Sequence, residues 1–123
     1  MERDSAPEKW VYREHTRVKH ELLRKYLYAW IIKLGKFHRK ILFFDGFAGR
    51  GEYIDENTGE ILTVGSPIIA LQLADELLQV CEQKEHPPYF DKFICIAIEK
   101  DKENFENLQR VISREKEKIR FKG

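Results

Sequence analysis

The sequence predicts an α/β fold, a parallel sheet with flanking helices that is preceded by a long N-terminal helix. Three observations support this prediction. Several segments have the three- and four-residue apolar spacing of amphipathic helices, and two short runs are apolar on both faces, as interior parallel strands are. These helices and strands alternate along the chain. Because parallel strands are joined by right-handed crossovers, the intervening helices are expected to lie on the sheet.

The N-terminal helix is predicted over residues 15–35. Its apolar side chains recur at steps of three and four residues, and Gly35 follows them as a stop signal. We expect His15 and Thr16 to cap the start of this helix, although a histidine can also act as a general base near neutral pH. Residues 1–14 are predicted to be a flexible N-terminus.

Residues 41–123 are predicted to form a β-α-β-α-β core, whose first strand covers residues 41–44. Ser66 and Asp101 are expected to cap the two core helices, with Pro67 at the first helical position of the earlier one. The later elements are predicted to be a loop or small hairpin at 53–65, helices to about Lys84 and about Lys118, a strand at 93–98 and a strand beginning at 119–121. The whole resembles the first half of a doubly wound fold, so we expect one truncated domain.

A glycine-rich segment follows the first predicted strand and reads Asp45-Gly46-Phe47-Ala48-Gly49-Arg50-Gly51-Glu52-Tyr53. We call residues 45–53 the glycine loop. Ligands of open α/β sheets bind beyond the carboxyl ends of the strands, where this loop is expected to lie. Three glycines within six residues are more than a plain tight turn needs. They allow positive φ angles and a close approach of a ligand to the backbone.

Two kinds of nucleotide site are compatible with such a loop. Gly49-Arg50-Gly51 matches the first half of the dinucleotide fingerprint, but Ile54 replaces the third small residue and no helix follows directly. The carboxylate of Asp45 would also repel a pyrophosphate. Glu99 ends the second strand, where an acid can accept hydrogen bonds from both hydroxyls of a ribose. Its alternative role is a solvated residue before the Asp101 cap.

Composition limits the other partners. The 22 basic residues nearly cancel the 21 acidic ones, so the net charge of +1 predicts no strong field for nucleic acid. Cys81 and Cys95 have a spacing that fits no zinc or redox motif, and we expect no metal site. No apolar run is long enough to span a membrane, which favours a soluble, cytoplasmic protein. A modest basic patch remains at Lys33, Lys36, His38, Arg39 and Lys40.

The glycine loop resembles the first motif of class I S-adenosylmethionine-dependent methyltransferases, which have a Rossmann-like fold, with Glu99 in the place of their second-strand acid. A closer resemblance is to the three-Cys-motif partner protein family, and it covers residues 10–108. The residues that support it are His15-Thr16, Lys19-His20, Tyr26-Leu27, Trp30, the Asp-Gly-Phe-Ala-Gly-x-Gly-x-Tyr loop and Gly65-Ser66-Pro67.

This resemblance implies S-adenosylmethionine as the cofactor, held by Asp45, Gly46, Phe47, Ala48, Gly49, Gly51 and Glu99, with Glu99 on the ribose. The implied activity is methyl transfer to an unidentified substrate, with nucleic acid one candidate; no catalytic residue is assigned. The alternative is an accessory protein that keeps the cofactor-binding fold and acts with a cysteine-motif partner protein. His86-Pro87-Pro88-Tyr89 imitates an amino-methylation motif but precedes the second strand, so we interpret it as a loop breaker.

Overall fold

The computed structural model of the chain describes residues 11–120. These residues form a mixed α/β structure with three helices, a parallel sheet of two strands and a separate hairpin. In chain order the elements are α1 (Glu14–Gly35), β1 (Lys40–Asp45), β2 (Glu52–Ile54), β3 (Ile61–Val64), α2 (Ser66–Gln83), β4 (Lys92–Ala97) and α3 (Lys102–Lys116).

The pairing of β1 with β4 confirms the two predicted parallel strands, but their predicted interior position is wrong, because within residues 11–120 each strand has only one strand neighbour. Their register runs from Lys40 opposite Lys92 to Asp45 opposite Ala97. Pairing continues past β4, because the Ile98 N–H donates to the Asp45 carbonyl at 2.9 Å. The carboxyl ends of both strands therefore meet at one edge of the sheet.

One face of this sheet lies on the core of the protein. Ile41 of β1 and Phe93 of β4 are buried against α1 and α2. The other buried members of this core are Leu27, Ile31, Ala70, Leu73, Ala74, Leu77 and Phe90. Burying one such large apolar side chain stabilises the folded state by about 1.5–3 kcal/mol. This packing explains the apolar stripe of α2, whereas only part of the apolar stripe of α1, including Leu27 and Ile31, is buried.

The opposite face of the sheet is not covered as the sequence predicts. Leu42 and Phe44 alternate with the buried side of β1, and Ile96 lies opposite Phe44 on β4. All three side chains are exposed, Phe44 by 59%. The prediction that both strands lie between two helical layers is therefore wrong for residues 11–120, because the core cluster there forms on only one side of β1 and β4.

The segment between β1 and α2 confirms the small hairpin that was predicted as one of two alternatives. β2 and β3 are antiparallel, with a register irregularity between Tyr53 and Ile54. In the turn, the Asp55 carboxylate accepts hydrogen bonds from the N–H groups of Asn57 at 2.8 Å and Thr58 at 3.0 Å. These bonds lower the pKa of Asp55.

Of the three helix N-caps predicted from the sequence, one is confirmed. Asp101 is the N-cap of α3 and accepts from the Asn104 N–H at 3.0 Å, as predicted. The N-cap of α1 is Arg13, so His15 and Thr16 lie inside the helix rather than capping it. The N-cap of α2 is Gly65, so Ser66 is already helical and makes no capping bond. Its hydroxyl instead donates a hydrogen bond to Asp45.

The third predicted strand does not form within the described residues. Ile119 and Arg120 follow α3 without strand structure, and the rest of that prediction, residues 121–123, lies outside the described residues. The Arg120 N–H donates to Asp75 Oδ1 of α2 at 3.2 Å, so it is bonded to a helix instead of to β4. At the other end, Val11 forms a bridge with Ile54, and residues 1–10 of the predicted flexible N-terminus are likewise outside the described residues.

Candidate functional site

Glu99 joins the glycine loop to the start of α3. It lies two residues beyond β4, at the same sheet edge as Asp45. Its Oε1 accepts a hydrogen bond from the Gly49 N–H at 2.8 Å, and its Oε2 accepts one from the Asp101 N–H at 2.8 Å. The two acids that the sequence predicts for one site therefore lie at the same edge of the sheet, and Glu99 is bonded to the glycine loop. Each oxygen of Glu99 retains a further lone pair.

Asp45 connects the end of β1 to α2. Its Oδ1 accepts from the Phe47 N–H at 3.1 Å, and its Oδ2 accepts a hydrogen bond from the Ser66 hydroxyl. Sequence reasoning missed this role of Ser66, because a serine before Pro67 has the pattern of a helix cap. Nothing local to Ser66 indicates that the hairpin returns it to Asp45.

The three glycines of the loop have different structural roles. Gly49 and Gly51 have positive φ angles, 74° and 90°, whereas Gly46 does not. A Cβ on Gly51 would lie 3.0 Å from Leu108 Cδ1 and 3.2 Å from Val111 Cβ, both on α3. Gly51 is therefore required for the close packing of α3 on the loop. The positive φ predicted for all three glycines is wrong for Gly46.

The remaining loop residues are placed very differently. The Ala48 N–H donates to the Ile98 carbonyl at 2.9 Å, and the residue is buried, so its backbone amide is used in fixing the loop on the sheet. Phe47 is 94% exposed. The backbone at Ala48 thus holds the loop in place, while Phe47 offers a bare aromatic side chain beside Asp45.

A buried polar network fixes α3 to the glycine loop and was not predicted from the sequence. Asn107 donates to the Arg50 carbonyl at 2.8 Å and to Glu52 Oε2 at 3.1 Å, and Arg114 donates to Glu52 Oε1 at 3.2 Å. Asn107 and Glu52 are buried, and such groups are expected to be hydrogen-bonded. Phe105, predicted to face inward, is exposed instead.

Three rings from separate segments meet beside the loop, and we call Tyr12, His20 and Tyr53 the aromatic cluster. Ring centroids lie 5.3 Å apart for His20 and Tyr53, 6.2 Å for Tyr12 and His20, and 6.3 Å for Tyr12 and Tyr53. Burial, together with the nearby charge of Arg24, lowers the pKa of His20 and so favours the neutral imidazole. Burial, together with the charge of Asp45, raises the pKa of Tyr53.

Other residues considered from the sequence lie away from this arrangement or have structural partners. His15 is exposed on α1. In the basic patch, Arg39 donates to the Pro88 carbonyl and to Asp91, both at 2.9 Å, so it fixes the loop before β4. Both cysteines are free thiols, and burial with the charge of Asp45 raises the pKa of Cys95 to about 11.

Within residues 11–120, no three His, Cys, Asp or Glu side chains are grouped so that they could hold a metal ion. No helix of that part of the chain is long and apolar enough to cross a membrane. Comparisons with known proteins found no matching family model, no matching curated protein and no matching solved structure.

Proposed function

We propose that the glycine loop and Glu99 bind S-adenosylmethionine, and that the chain is the cofactor-binding part of a methyltransferase with a Rossmann-like fold. The observation that carries this proposal is the bond from the Gly49 N–H to Glu99 at 2.8 Å. It places a glycine loop and two strand-end acids at the carboxyl edge of a parallel sheet, where α/β proteins bind nucleotides.

The chemistry of these groups fits the cofactor. S-adenosylmethionine carries an ammonium group at its amino-acid end and a ribose with two hydroxyls, and all of these donate hydrogen bonds. Asp45 and Glu99 are acceptors whose existing partners leave lone pairs available. We assign the ammonium group to Asp45 and the ribose hydroxyls to Glu99. Charge-assisted bonds of this kind are stronger than neutral ones.

The position of the helices disfavours a dinucleotide. In that kind of site a helix begins directly after the loop and its N-terminus faces the pyrophosphate. Here β2 begins at Glu52, directly after Gly51, and α2 begins only at Ser66. A pyrophosphate near Asp45 would meet a carboxylate rather than free helical N–H groups. The sequence agrees, because Ile54 replaces the third small residue of the dinucleotide fingerprint.

Methyl transfer is the reaction that this cofactor supports. It requires the acceptor atom, the methyl carbon and the sulfur to be aligned, and positioning supplies much of the rate enhancement. The residues assigned here hold the cofactor and do not touch the acceptor. The acceptor itself, a nucleic acid or another substrate, is not specified by these contacts.

Isothermal titration calorimetry of the 123-residue chain tests the proposal. We expect S-adenosylmethionine to bind, and Asp45→Asn or Glu99→Gln to weaken binding by about tenfold or more, because each removes a charge-assisted bond. Glu106→Gln, an exposed position on α3, is the matched control and should bind as the parent does. Binding of a nicotinamide dinucleotide alone would support the dinucleotide site. Binding of neither ligand would favour an accessory role with a cysteine-motif partner.

A further inference from the structure

The aromatic cluster joins three segments of the chain beside the glycine loop. Tyr12 precedes α1, His20 lies in α1 and Tyr53 lies in β2, so three segments converge on one point. All three residues are only half-buried. A surface of three neighbouring rings, partly open beside a candidate binding loop, can contact a ligand.

We propose that the aromatic cluster contacts the positively charged methylsulfonium group of S-adenosylmethionine, and that it makes the site prefer this cofactor over the neutral product S-adenosylhomocysteine. The inference rests on the proposed function, because it concerns a different part of the same ligand. The proposed interaction is a cation–π contact between the methylated cation and the ring faces. Aromatic ring faces attract cations within about 6 Å of the ring centroid.

Backbone contacts fix the cluster next to the loop. Val11 forms a parallel bridge with Ile54, and the Tyr12 N–H donates to the Ile54 carbonyl at 2.8 Å. Tyr12 is thereby held beside Tyr53, its neighbour across the bridge. His20 then contacts Tyr53 edge-to-face, with centroids 5.3 Å apart and a 69° angle between the rings. The position of the rings does not depend on long flexible side chains.

The position of Asp45 relates the cluster to the sulfur of the cofactor. Gly51, two residues before Tyr53, accepts a hydrogen bond from the Gly65 N–H at 2.7 Å, and the adjacent Ser66 donates its hydroxyl to Asp45. Tyr53 therefore lies near the acid assigned to the ammonium group, and the charge of that acid also helps to raise the pKa of Tyr53. In S-adenosylmethionine only two methylene groups separate the carbon that bears this ammonium from the sulfur. A ligand held by Asp45 therefore carries its sulfonium within reach of the neighbouring rings.

The charges around the cluster favour a cation. Burial and then Arg24 lower the pKa of His20, which favours a neutral aromatic ring over a positive charge at this position. Arg24 is the cation beside His20, and it pairs with Glu76 of α2 at 3.8 Å. On the side of β1, the charge of the Asp45 carboxylate acts on Tyr53. An anionic ligand group would meet this carboxylate.

The test compares two ligands that differ by one methyl group and its charge. Calorimetry gives the dissociation constants of S-adenosylmethionine and S-adenosylhomocysteine for the parent chain, Tyr53→Leu, His20→Leu and Tyr53→Phe. We expect each leucine variant to lose about three- to tenfold of the preference for S-adenosylmethionine, with little change for S-adenosylhomocysteine. Tyr53→Phe keeps the ring and should keep the preference.

The outcomes separate this inference from the proposed function. If the parent binds neither ligand, the proposed function fails and the inference with it. If both bind and the leucine variants weaken them equally, the cluster contacts a shared part of the ligands and the inference is wrong. The inference is equally wrong if the leucine variants leave the preference for S-adenosylmethionine unchanged while tetramethylammonium binds at the rings. The rings would then bind the methylated ammonium group of another molecule. Two positions are tested so that one misfolded variant does not decide the result.

Discussion

Replacing Gly35 with alanine is expected to lower the free energy of unfolding by about 3 kcal/mol or more. Gly35 is the last residue of α1, and a Cβ there would lie 2.1 Å from the carbonyl oxygen of Tyr89. This neighbour is backbone, so relief requires moving α1 away from the segment that leads into β4. Urea unfolding monitored by circular dichroism would measure the loss.

Gly46→Ala is the matched control for this variant. Gly46 also lacks a positive φ angle, and its added Cβ would meet only Phe44 Cε1, at 3.6 Å. We expect its unfolding midpoint to stay close to that of the parent. If Gly35→Ala were as stable as Gly46→Ala, α1 would not approach Tyr89 as closely as described.

Gly51→Ala is expected to destabilise the protein by about 2–4 kcal/mol, the sum of a backbone term and a packing term. Its φ of 90° is unfavourable for alanine, and the new Cβ would press on Leu108 and Val111. Because α3 then moves away from the loop, we also expect weaker cofactor binding. Chemical unfolding and calorimetry measure the two effects on the same sample.

Gly59→Ala separates these two terms. Gly59 lies in the hairpin turn with a φ of 75°, and nothing lies within 4 Å of its added Cβ. We expect only the backbone term, about 1 kcal/mol, and unchanged cofactor binding. Equal losses for Gly51→Ala and Gly59→Ala would contradict the close contact between the loop and α3.

Much of the local structure could be predicted because it depends on local signals. The runs at 41–44 and 93–98 are apolar and short, and they form the two parallel strands. The apolar spacing of the three helices and the Asp101 cap were likewise readable. The glycine loop and Glu99 could be placed at one edge because parallel strands end on the same side of a sheet.

What the sequence did not predict depends on contacts between distant residues. Gly35 has the pattern of a helix stop, yet the structural reason for it is Tyr89, far along the chain. Ser66 has the pattern of a cap, yet it bonds to Asp45. The exposed face of β1 and β4 also follows from tertiary packing, since an apolar strand does not specify how many helical layers cover it.

The binding of S-adenosylmethionine by the glycine loop is tested most directly by nuclear magnetic resonance of the ¹⁵N-labelled chain during a titration. The N–H groups of Phe47, Gly49 and Asp101 bond to the two acids, so their signals should shift most on addition of the cofactor. Signals of the hairpin turn at Asn57 and Thr58 should stay in place. No shift at Phe47, Gly49 and Asp101 at saturating cofactor, or the largest shifts in the hairpin turn, would contradict the assigned site.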